Sequence, residues 1–75
     1  MTFTYDSSAI DTTTSAGRRN AVRFLVGDTD STDAQVQDDE IAFVLTESSD
    51  NVYEAGAYCC RAIAAKYSRR VDTEL

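Results

Sequence analysis

Apolar residues recur at helical spacing in three stretches of the chain. The first stretch lies between Ser15, a suitable N-terminal cap, and Gly27, which is suited to the left-handed conformation that ends many helices. Its apolar face is formed by Ala21, Val22 and Leu25, with Val26 at the edge. This pattern predicts a first helix over residues 16–26.

The second stretch begins with an acidic cluster. Asp38, Asp39 and Glu40 occupy its first turn, where the helix dipole favours negative charge. The apolar stripe that follows consists of Ile41, Val44 and Leu45. Phe43 points about 100–160° away from this stripe at 3.6 residues per turn. Because a Ser-Ser-Asp sequence then interrupts the pattern, the predicted helix covers residues 38–47.

The third stretch is the longest and predicts a helix over residues 51–70. Asn51 followed by Glu54 forms a suitable capping pair, although Asp50 would serve as the cap equally well. The main apolar stripe consists of Val52, Ala55, Gly56, Cys59, Ile63 and Tyr67. Small residues also lie on the other faces, which favours close contact with neighbours on more than one side, although alanine is in addition the best helix former.

The three helices predict an all-α fold, a small three-helix bundle over residues 16–75 with an extended N-terminal arm over residues 1–15. Thr2-Phe3-Thr4-Tyr5 alternates polar and apolar residues as a short strand does, but a single strand is not stable in water. This segment is either a frayed terminus or an arm that lies on a neighbouring subunit or partner, because no partner strand is evident within the chain. The predicted core consists of Val22, Leu25, Ile41, Val44, Leu45, Val52, Cys59 and Ile63.

The size of the chain makes its core small. A domain of 75 residues buries only about 60% of the surface that its unfolded form exposes. The two cysteines, Cys59 and Cys60, are adjacent, and on a helix their side chains diverge by about 100°, so an unstrained bond between them is ruled out. The chain has no histidine, so a zinc site lacks a ligand set. Support from a partner or from further copies is therefore favoured.

The net charge of the chain is −6, and it is unevenly distributed. Residues 1–50 hold ten acidic and three basic residues, whereas residues 51–75 hold three acidic and four basic ones. Such an acidic chain is poorly suited to tight, sequence-specific DNA binding, which requires neutralisation of phosphates by Lys and Arg. No long apolar stretch is present, so we expect no contact with a membrane and synthesis in a reducing cytoplasm.

The acidic loop after the first helix partly resembles a calcium-binding loop. Asp28, Asp30 and Thr32 occupy the first, third and fifth ligand positions. However, Thr32 replaces the usual Asp or Asn, Asp33 replaces the glycine of the sharp turn, and Asp39 replaces the bidentate Glu. We therefore predict no metal and no other cofactor, and we expect Asp28 and Asp30 to hold the loop by accepting backbone hydrogen bonds.

Catalytic signatures are missing from the sequence. No histidine is present to activate either cysteine, and the carboxylates lie in a loop and at a helix start, without a nucleophile or a phosphate-binding loop. Cys59 lies on the main stripe and is expected to be a small apolar core residue. The sequence therefore predicts a protein that is not an enzyme.

Two groups of residues are candidates for contacts with other molecules: large side chains outside the core pattern and basic residues near helix ends. They are Phe3, Tyr5, Arg18, Arg19, Phe43, Tyr53, Tyr58, Arg61, Arg69 and Arg70. The basic residues would touch DNA, remain solvated or form salt bridges with an acidic neighbour. Salt bridges are favoured, because each subunit has one acidic and one mildly basic end that can pair. Like-charge repulsion between subunits would otherwise oppose assembly.

Three segments of the chain, in this order and at this spacing, are similar to those of a known family. They are the apolar run Val22-Arg23-Phe24-Leu25-Val26 before Gly27-Asp28, the acidic start Asp38-Asp39-Glu40-Ile41, and Asn51-Val52-Tyr53-Glu54-Ala55. The chain resembles the small head–tail connector proteins, or head-completion adaptors, of long-tailed double-stranded DNA phages. The resemblance extends from about Phe3 to Val71.

The resemblance implies a structural protein of the virion neck. In this family a small all-α bundle forms a ring of twelve copies, which docks on the portal protein and presents a surface to the next neck or tail-completion protein. DNA passes through the ring during packaging and ejection, and an acidic lumen would repel its phosphates. The protein would be made in the host bacterial cytoplasm and reside at the head–tail junction.

Two departures from the family pattern change these expectations. Gln37 replaces the Ser or Thr that usually precedes the second helix, and it is a weaker cap. Family members also continue into a C-terminal segment that binds the portal, whereas this sequence stops at Leu75. We therefore expect either that the N-terminal arm contributes more to portal binding or that the mode of docking differs. The alternative is a small acidic interaction or regulatory domain that binds a partner helix in a groove.

Overall fold

The computed structural model describes residues 2–74 and the side chains of residues 2–70. It contains three helices, α1 (Ser15–Val26), α2 (Asp38–Glu47) and α3 (Val52–Glu74). Short 3-10 turns at Ser7–Ala9 and Ser31–Asp33 complete the regular structure, and none of residues 2–74 lies in a strand. The predicted all-α three-helix bundle is therefore confirmed. The outermost residues of the predicted arm and domain, Met1 and Leu75, lie outside the described part.

The helix ends follow local hydrogen-bonding rules, with small differences from the prediction. The side chain of Thr14, rather than Ser15, caps α1 by accepting a hydrogen bond from the Gly17 N–H at 3.0 Å. Gly27 ends α1 in the left-handed conformation, with φ of 75°, as predicted. Asn51 caps α3 by accepting hydrogen bonds from the N–H groups of residues 53 and 54. The third helix continues four residues beyond the predicted end at residue 70.

The start of α2 compensates for the weak cap at Gln37 in two ways. The Glu40 carboxylate accepts a hydrogen bond from the Gln37 N–H at 2.7 Å. The Thr2 carbonyl accepts one from the Asp38 N–H at 2.8 Å, so the N-terminal arm satisfies a backbone donor of this helix. The first turn of α2 is thus completed by a residue from the other end of the domain.

The core agrees with the prediction except at Leu25. The buried apolar residues are Ala21, Val22, Val36, Ile41, Leu45, Val52, Ala55 and Cys59, with Val26, Val44 and Ile63 partly buried against them. Leu25 is 44% exposed and does not belong to this core, so its assignment was wrong. Opposite the Leu25 Cβ, α3 presents Gly56, which has no side chain to cover it.

The N-terminal arm is extended, but it is bound to its own chain. The Thr4 N–H donates to Asp38 Oδ1 at 3.0 Å, and the Asp6 N–H donates to Asn20 Oδ1 at 3.0 Å. Asn20 is buried, and its Nδ2 donates to the Ala9 carbonyl at 3.2 Å. As expected, no partner strand is present among residues 2–74, but the arm lies on its own chain. Its partners are side chains of α1 and α2 and the Asp38 N–H rather than a second strand.

Candidate functional site

An arginine lies at the centre of the bundle. The Arg23 side chain is fully buried, and its Nη1 donates to Asp28 Oδ2 at 2.7 Å and to the Val36 carbonyl at 3.1 Å. Its Nη2 donates to Asp38 Oδ1 at 2.8 Å. A buried cation is tolerated only when it is paired and hydrogen-bonded, and two carboxylates meet that need here. Arg23 thus joins α1 to the loop and to the start of α2.

The same guanidinium holds the N-terminal arm. Arg23 Nε donates to the Thr4 carbonyl at 2.9 Å, and the Phe3 ring covers the guanidinium with its centroid 3.7 Å from the carbon atom. The planar, weakly hydrated guanidinium is suited to stacking on an aromatic ring. Phe3 is therefore held by a contact within its own chain. The nearby Tyr5 is half-buried.

The acidic loop is held by its own aspartates, as predicted. Asp28 is buried, and its two carboxylate oxygens accept hydrogen bonds from the N–H groups of Gln35 and Val36 at 3.0 and 3.1 Å. Asp30 accepts from the N–H and hydroxyl groups of Thr32, and these two bonds lower the pKa of its exposed carboxyl. The loop aspartates are thus engaged with protein groups.

Asp38 is the second anion of the Arg23 network. Burial favours the neutral form of its carboxyl, but hydrogen bonds from Arg23 and Thr4 and the nearby charge of Arg19 outweigh that effect and lower its pKa. Asp38 thus remains ionised in the folded protein at neutral pH. This carboxylate connects α1, α2 and the arm.

A groove with a largely apolar lining lies between α2 and α3. Phe43, which is 64% exposed, forms one wall, and Tyr58 and Ala62 of α3 form the other. The part of the groove above Val44 and Cys59 has a volume of about 340 Å³. Its rim is acidic, with Asp39, Glu40 and Glu47. The Tyr58 hydroxyl donates to Glu54 at 3.0 Å, and this bond raises the pKa of Tyr58.

Further large apolar side chains are exposed on the last turn of α1 and the first turn of α3. Phe24 is 62% exposed, Leu25 44% and Tyr53 75%. Phe43 and Tyr53 thus lie outside the core, as their positions off the apolar stripes predict. Exposed aromatic residues are typical anchors of protein–protein contacts. Their contact roles stay predictions.

Two of the predicted basic residues lie in a cleft between α1 and α2. Arg18 forms a salt bridge with Asp50 at 3.6 Å, and Arg19 lies 3.9 Å from Asp38. The Nε atoms of both arginines are buried and form no hydrogen bond. An aspartate thus lies within 4 Å of each arginine, and Asp38 is shared with Arg23.

The remaining basic residues lie on α3: Arg61 is near its middle, and Lys66, Arg69 and Arg70 are on its outer half, residues 64–70. Arg61 lies over the Tyr58 ring at 5.9 Å and Arg70 over the Tyr67 ring at 5.6 Å. Lys66 Nζ donates to the Gln35 carbonyl at 2.7 Å. All side chains of residues 64–70, including Arg69, are exposed. The outer half of α3, which extends beyond the start of α2, therefore carries positive charge.

The two cysteines differ in environment, and Cys59 belongs to the core as predicted. Cys59 is 2% exposed, and burial raises the pKa of its thiol to about 11, with smaller contributions from Cys60 and Asp28. Cys60 is exposed. The buried thiol is therefore protonated at neutral pH and packs as an apolar group.

Comparison with known proteins gives no relative: no protein-family model, no curated protein and no solved structure matches the chain. Among the predicted contact residues, the fold brings Phe43 and Tyr58 together at the groove and Arg18 and Arg19 together in the cleft. No helix of residues 2–74 combines the length and the apolar character that crossing a membrane requires.

The sequence pattern missed Arg23 and Asn20, the polar residues that organise the interior. Both lie on α1 and are spaced by three residues, so they share a face of the helix. An amphipathic pattern assigns such residues to the surface, because arginine is almost never fully buried unless it is paired. The available signal was the excess of aspartates at positions 28 and 38, although it does not identify the arginine with which they pair.

Proposed function

We propose that this chain is a head–tail connector of a long-tailed double-stranded DNA phage. It is made in the host cytoplasm and joins the virion neck, where twelve copies form a ring between the portal and the next neck or tail-completion protein. The ring lets DNA pass and has no chemistry of its own. The proposal starts from the sequence resemblance and is developed from the surface of the domain.

The observation that carries the proposal is the large exposed apolar surface of so small a domain. Phe43 lies at the α2–α3 groove, whereas Phe24 lies on the last turn of α1. A ring subunit has to contact a neighbour on each side as well as proteins above and below it, and thus needs several contact surfaces. A scaffold role accounts for these side chains better than a pocket for a small ligand does.

The charge distribution is compatible with a DNA conduit. The loop and the first turn of α2 are rich in aspartate, and the formal charge of the chain is −6. A negatively charged lumen would repel phosphates and prevent DNA from sticking during passage. The two arginines of the α1–α2 cleft are each accompanied by an aspartate, which argues against a phosphate-binding role for them.

The alternative function, an acidic interaction domain that binds a partner helix, is favoured by the α2–α3 groove. The groove has an apolar lining of the kind that accepts an amphipathic helix, formed by Phe43, Val44, Tyr58 and Ala62. Its acidic rim would select a basic helix. Such a domain would act as a monomer that binds one peptide.

The test combines the purified chain with the portal protein encoded near it. We expect the portal complex to gain a ring of this chain, measured by size-exclusion chromatography with light scattering and seen by electron microscopy. Mass spectrometry of purified virions should detect the chain. A chain that leaves the portal mass unchanged and is missing from virions would contradict the connector function.

Variants test which surface is used. Phe43→Ser and Tyr58→Ser should abolish incorporation into portal-bearing heads while leaving the helical circular dichroism unchanged, because these side chains lie outside the core. Thr12→Ala, at another exposed position, should incorporate normally. Normal yields of tailed particles with both groove variants would show that the groove is not a contact surface.

A further inference from the structure

The outer half of α3 extends beyond the part of the bundle that buries it. The helix has 23 residues and is thus roughly 34 Å long, whereas α2 beside it has 10 residues and is roughly 15 Å long. Among the described side chains of α3, Ile63 is the last that packs against the core. Tyr67 is 46% exposed, although it continues the apolar stripe of the helix.

This outer half and the α2–α3 groove have opposite charges. Lys66, Arg69 and Arg70 lie on the outer half, and the Tyr67 ring lies beside the Arg70 guanidinium. The groove has an apolar lining and carries the acidic residues Asp39, Glu40 and Glu47 on its rim. A helix with an aromatic residue flanked by basic ones therefore fits the groove in both polarity and charge.

The outer half of α3 cannot occupy the groove of its own chain. Tyr58 and Ala62, which line the groove, belong to the same continuous helix as Tyr67. Tyr67 lies five residues beyond Ala62, roughly 7.5 Å further along the axis, and a helix cannot fold back over that distance. Within this protein, only α3 of a second copy could therefore present this segment to the groove.

We propose that the outer half of α3, residues 64–70, docks into the α2–α3 groove of a neighbouring copy. Tyr67 enters the apolar groove beside Phe43 and Tyr58, and Arg70 pairs with the acidic rim at Glu47. The donor and acceptor surfaces are different, so the contact is head-to-tail and leaves each copy with one free donor and one free acceptor. Repetition of such a contact closes a ring when the rotation between copies allows it.

This contact rests on the proposed connector function, because it is the subunit contact that would hold the ring together. An interface of standard size buries about 800 Å² on each partner, roughly a sixth of the 4979 Å² surface of the chain. A ring subunit needs two such surfaces, so a chain of this size has to use a large fraction of its exposed groups. The groove and the outer half of α3 provide two separate surfaces.

Disulfide trapping tests the contact even where the free protein is mainly monomeric. In a Cys60→Ser background, chains carrying Glu47→Cys are mixed with chains carrying Arg70→Cys under mild oxidation. We expect the mixed disulfide dimer to exceed, by about tenfold or more, that formed by the matched control pair Asp33→Cys and Arg70→Cys. Equal yields of the two pairs at high protein concentration would overturn the proposal.

A mixing experiment tests the direction of the contact. Every chain carries Cys60→Ser, Glu47→Cys and Arg70→Cys; the donor variant adds Tyr67→Ser, and the acceptor variant adds Phe43→Ser. Each variant retains one intact surface, so in the trapping assay neither should dimerise with itself, whereas the mixture should form dimers and nothing larger. Dimers of either variant alone would point to a symmetric contact and contradict the proposal.

The portal experiment separates this proposal from the connector function. If trapping fails but the chain still binds the portal, the connector function stands and this contact is wrong. If trapping succeeds while the chain neither binds the portal nor occurs in virions, the contact stands and the connector function is wrong. A basic helical peptide with one cysteine can be added to the assay. If Glu47→Cys traps this peptide in preference to the second copy, the groove is a site for a foreign helix and the proposal is overturned.

Discussion

The Arg23 guanidinium carbon lies 3.7 Å from the centre of the Phe3 ring, and this stacked pair attaches the N-terminal arm to the interior of the bundle. Arg23 also pairs with Asp28 and Asp38, so one side chain fixes the arm, the loop and the start of α2 relative to α1. The position of the groove wall at Phe43 depends on this arrangement, because Phe43 belongs to α2.

We expect Arg23→Met to destabilise the domain severely. Methionine fills a similar volume but leaves the Asp28 carboxylate buried without a cation, which typically costs about 3–5 kcal/mol. The total stability of so small a domain is of that order, so the variant should be largely unfolded by circular dichroism in a urea titration. Arg61→Met, at an exposed position, is the control and should unfold like the wild type.

The arm should contribute to the stability of the bundle. Phe3→Ala removes the ring that covers Arg23, and the loss of such a contact is expected to cost about 0.5–2 kcal/mol. Removal of residues 2–5 should cost more, because it also removes the Thr4 and Thr2 carbonyls that accept hydrogen bonds from Arg23 and from α2. Thermal denaturation measures both effects. A truncated chain with an unchanged melting temperature would argue against the bound arm.

Two glycines should respond in opposite ways to alanine. At Gly17 a Cβ would overlap the Asp11 carbonyl, so Gly17→Ala has to displace that turn and should destabilise by roughly 1–3 kcal/mol. At Gly56 a Cβ would lie 3.7 Å from Val26 and 3.8 Å from Leu25, which is ordinary contact. Gly56→Ala should therefore stabilise by up to about 1 kcal/mol through helix propensity. Equal effects in chemical denaturation would contradict this assignment.

The burial of Ile41 and the exposure of Leu25 can be tested with one pair of variants. Ile41 is fully buried, so Ile41→Ala should cost about 2–5 kcal/mol. Leu25 is 44% exposed, so Leu25→Ala should cost well below that range. Urea titrations of the two variants give the comparison directly. If Leu25→Ala were the more damaging change, the packing of the last turn of α1 would be misassigned.

Acid should weaken the Arg23 network through Asp38. The pKa of Asp38 is lower in the folded chain than its ordinary value of about 3.9, so the unfolded chain binds this proton more readily. The stabilisation is fully present above that ordinary value and is lost as the pH falls through the lower folded pKa. Asp38→Asn should reduce stability at neutral pH and flatten its dependence between pH 5 and pH 2. A variant with the wild-type acid profile would contradict the assignment.

The sequence was sufficient for those features that depend on local rules. The extent of α2 follows from its acidic first turn and apolar stripe, and the exposure of Phe43 follows from its angle to that stripe. The left-handed end of α1 at Gly27 was equally predictable. In each case the residues that decide the structure lie within a few positions of one another.

The parts that were not predictable depend on partners far away in the chain. The polar alternation of Thr2 to Tyr5 indicates an extended segment, but this segment is held by Arg23, which donates to Thr4, and by Asp38, which accepts from it. No local pattern connects these residues to the arm. Leu25 lies opposite Gly56 of α3, yet it is 44% exposed. The periodicity of α1 alone cannot indicate how the neighbouring helix packs against it.

The arm leaves the ribosome before the residues that hold it. The hydrogen bond from the Thr4 N–H to Asp38 spans 34 positions, and synthesis at about 5–20 residues per second separates the two residues by roughly 2–7 seconds. Arg23 follows Phe3 by 20 positions, and it gains its full set of partners only when the start of α2 has been made. The segment that is synthesised first is therefore fastened only after about half of the chain has been made.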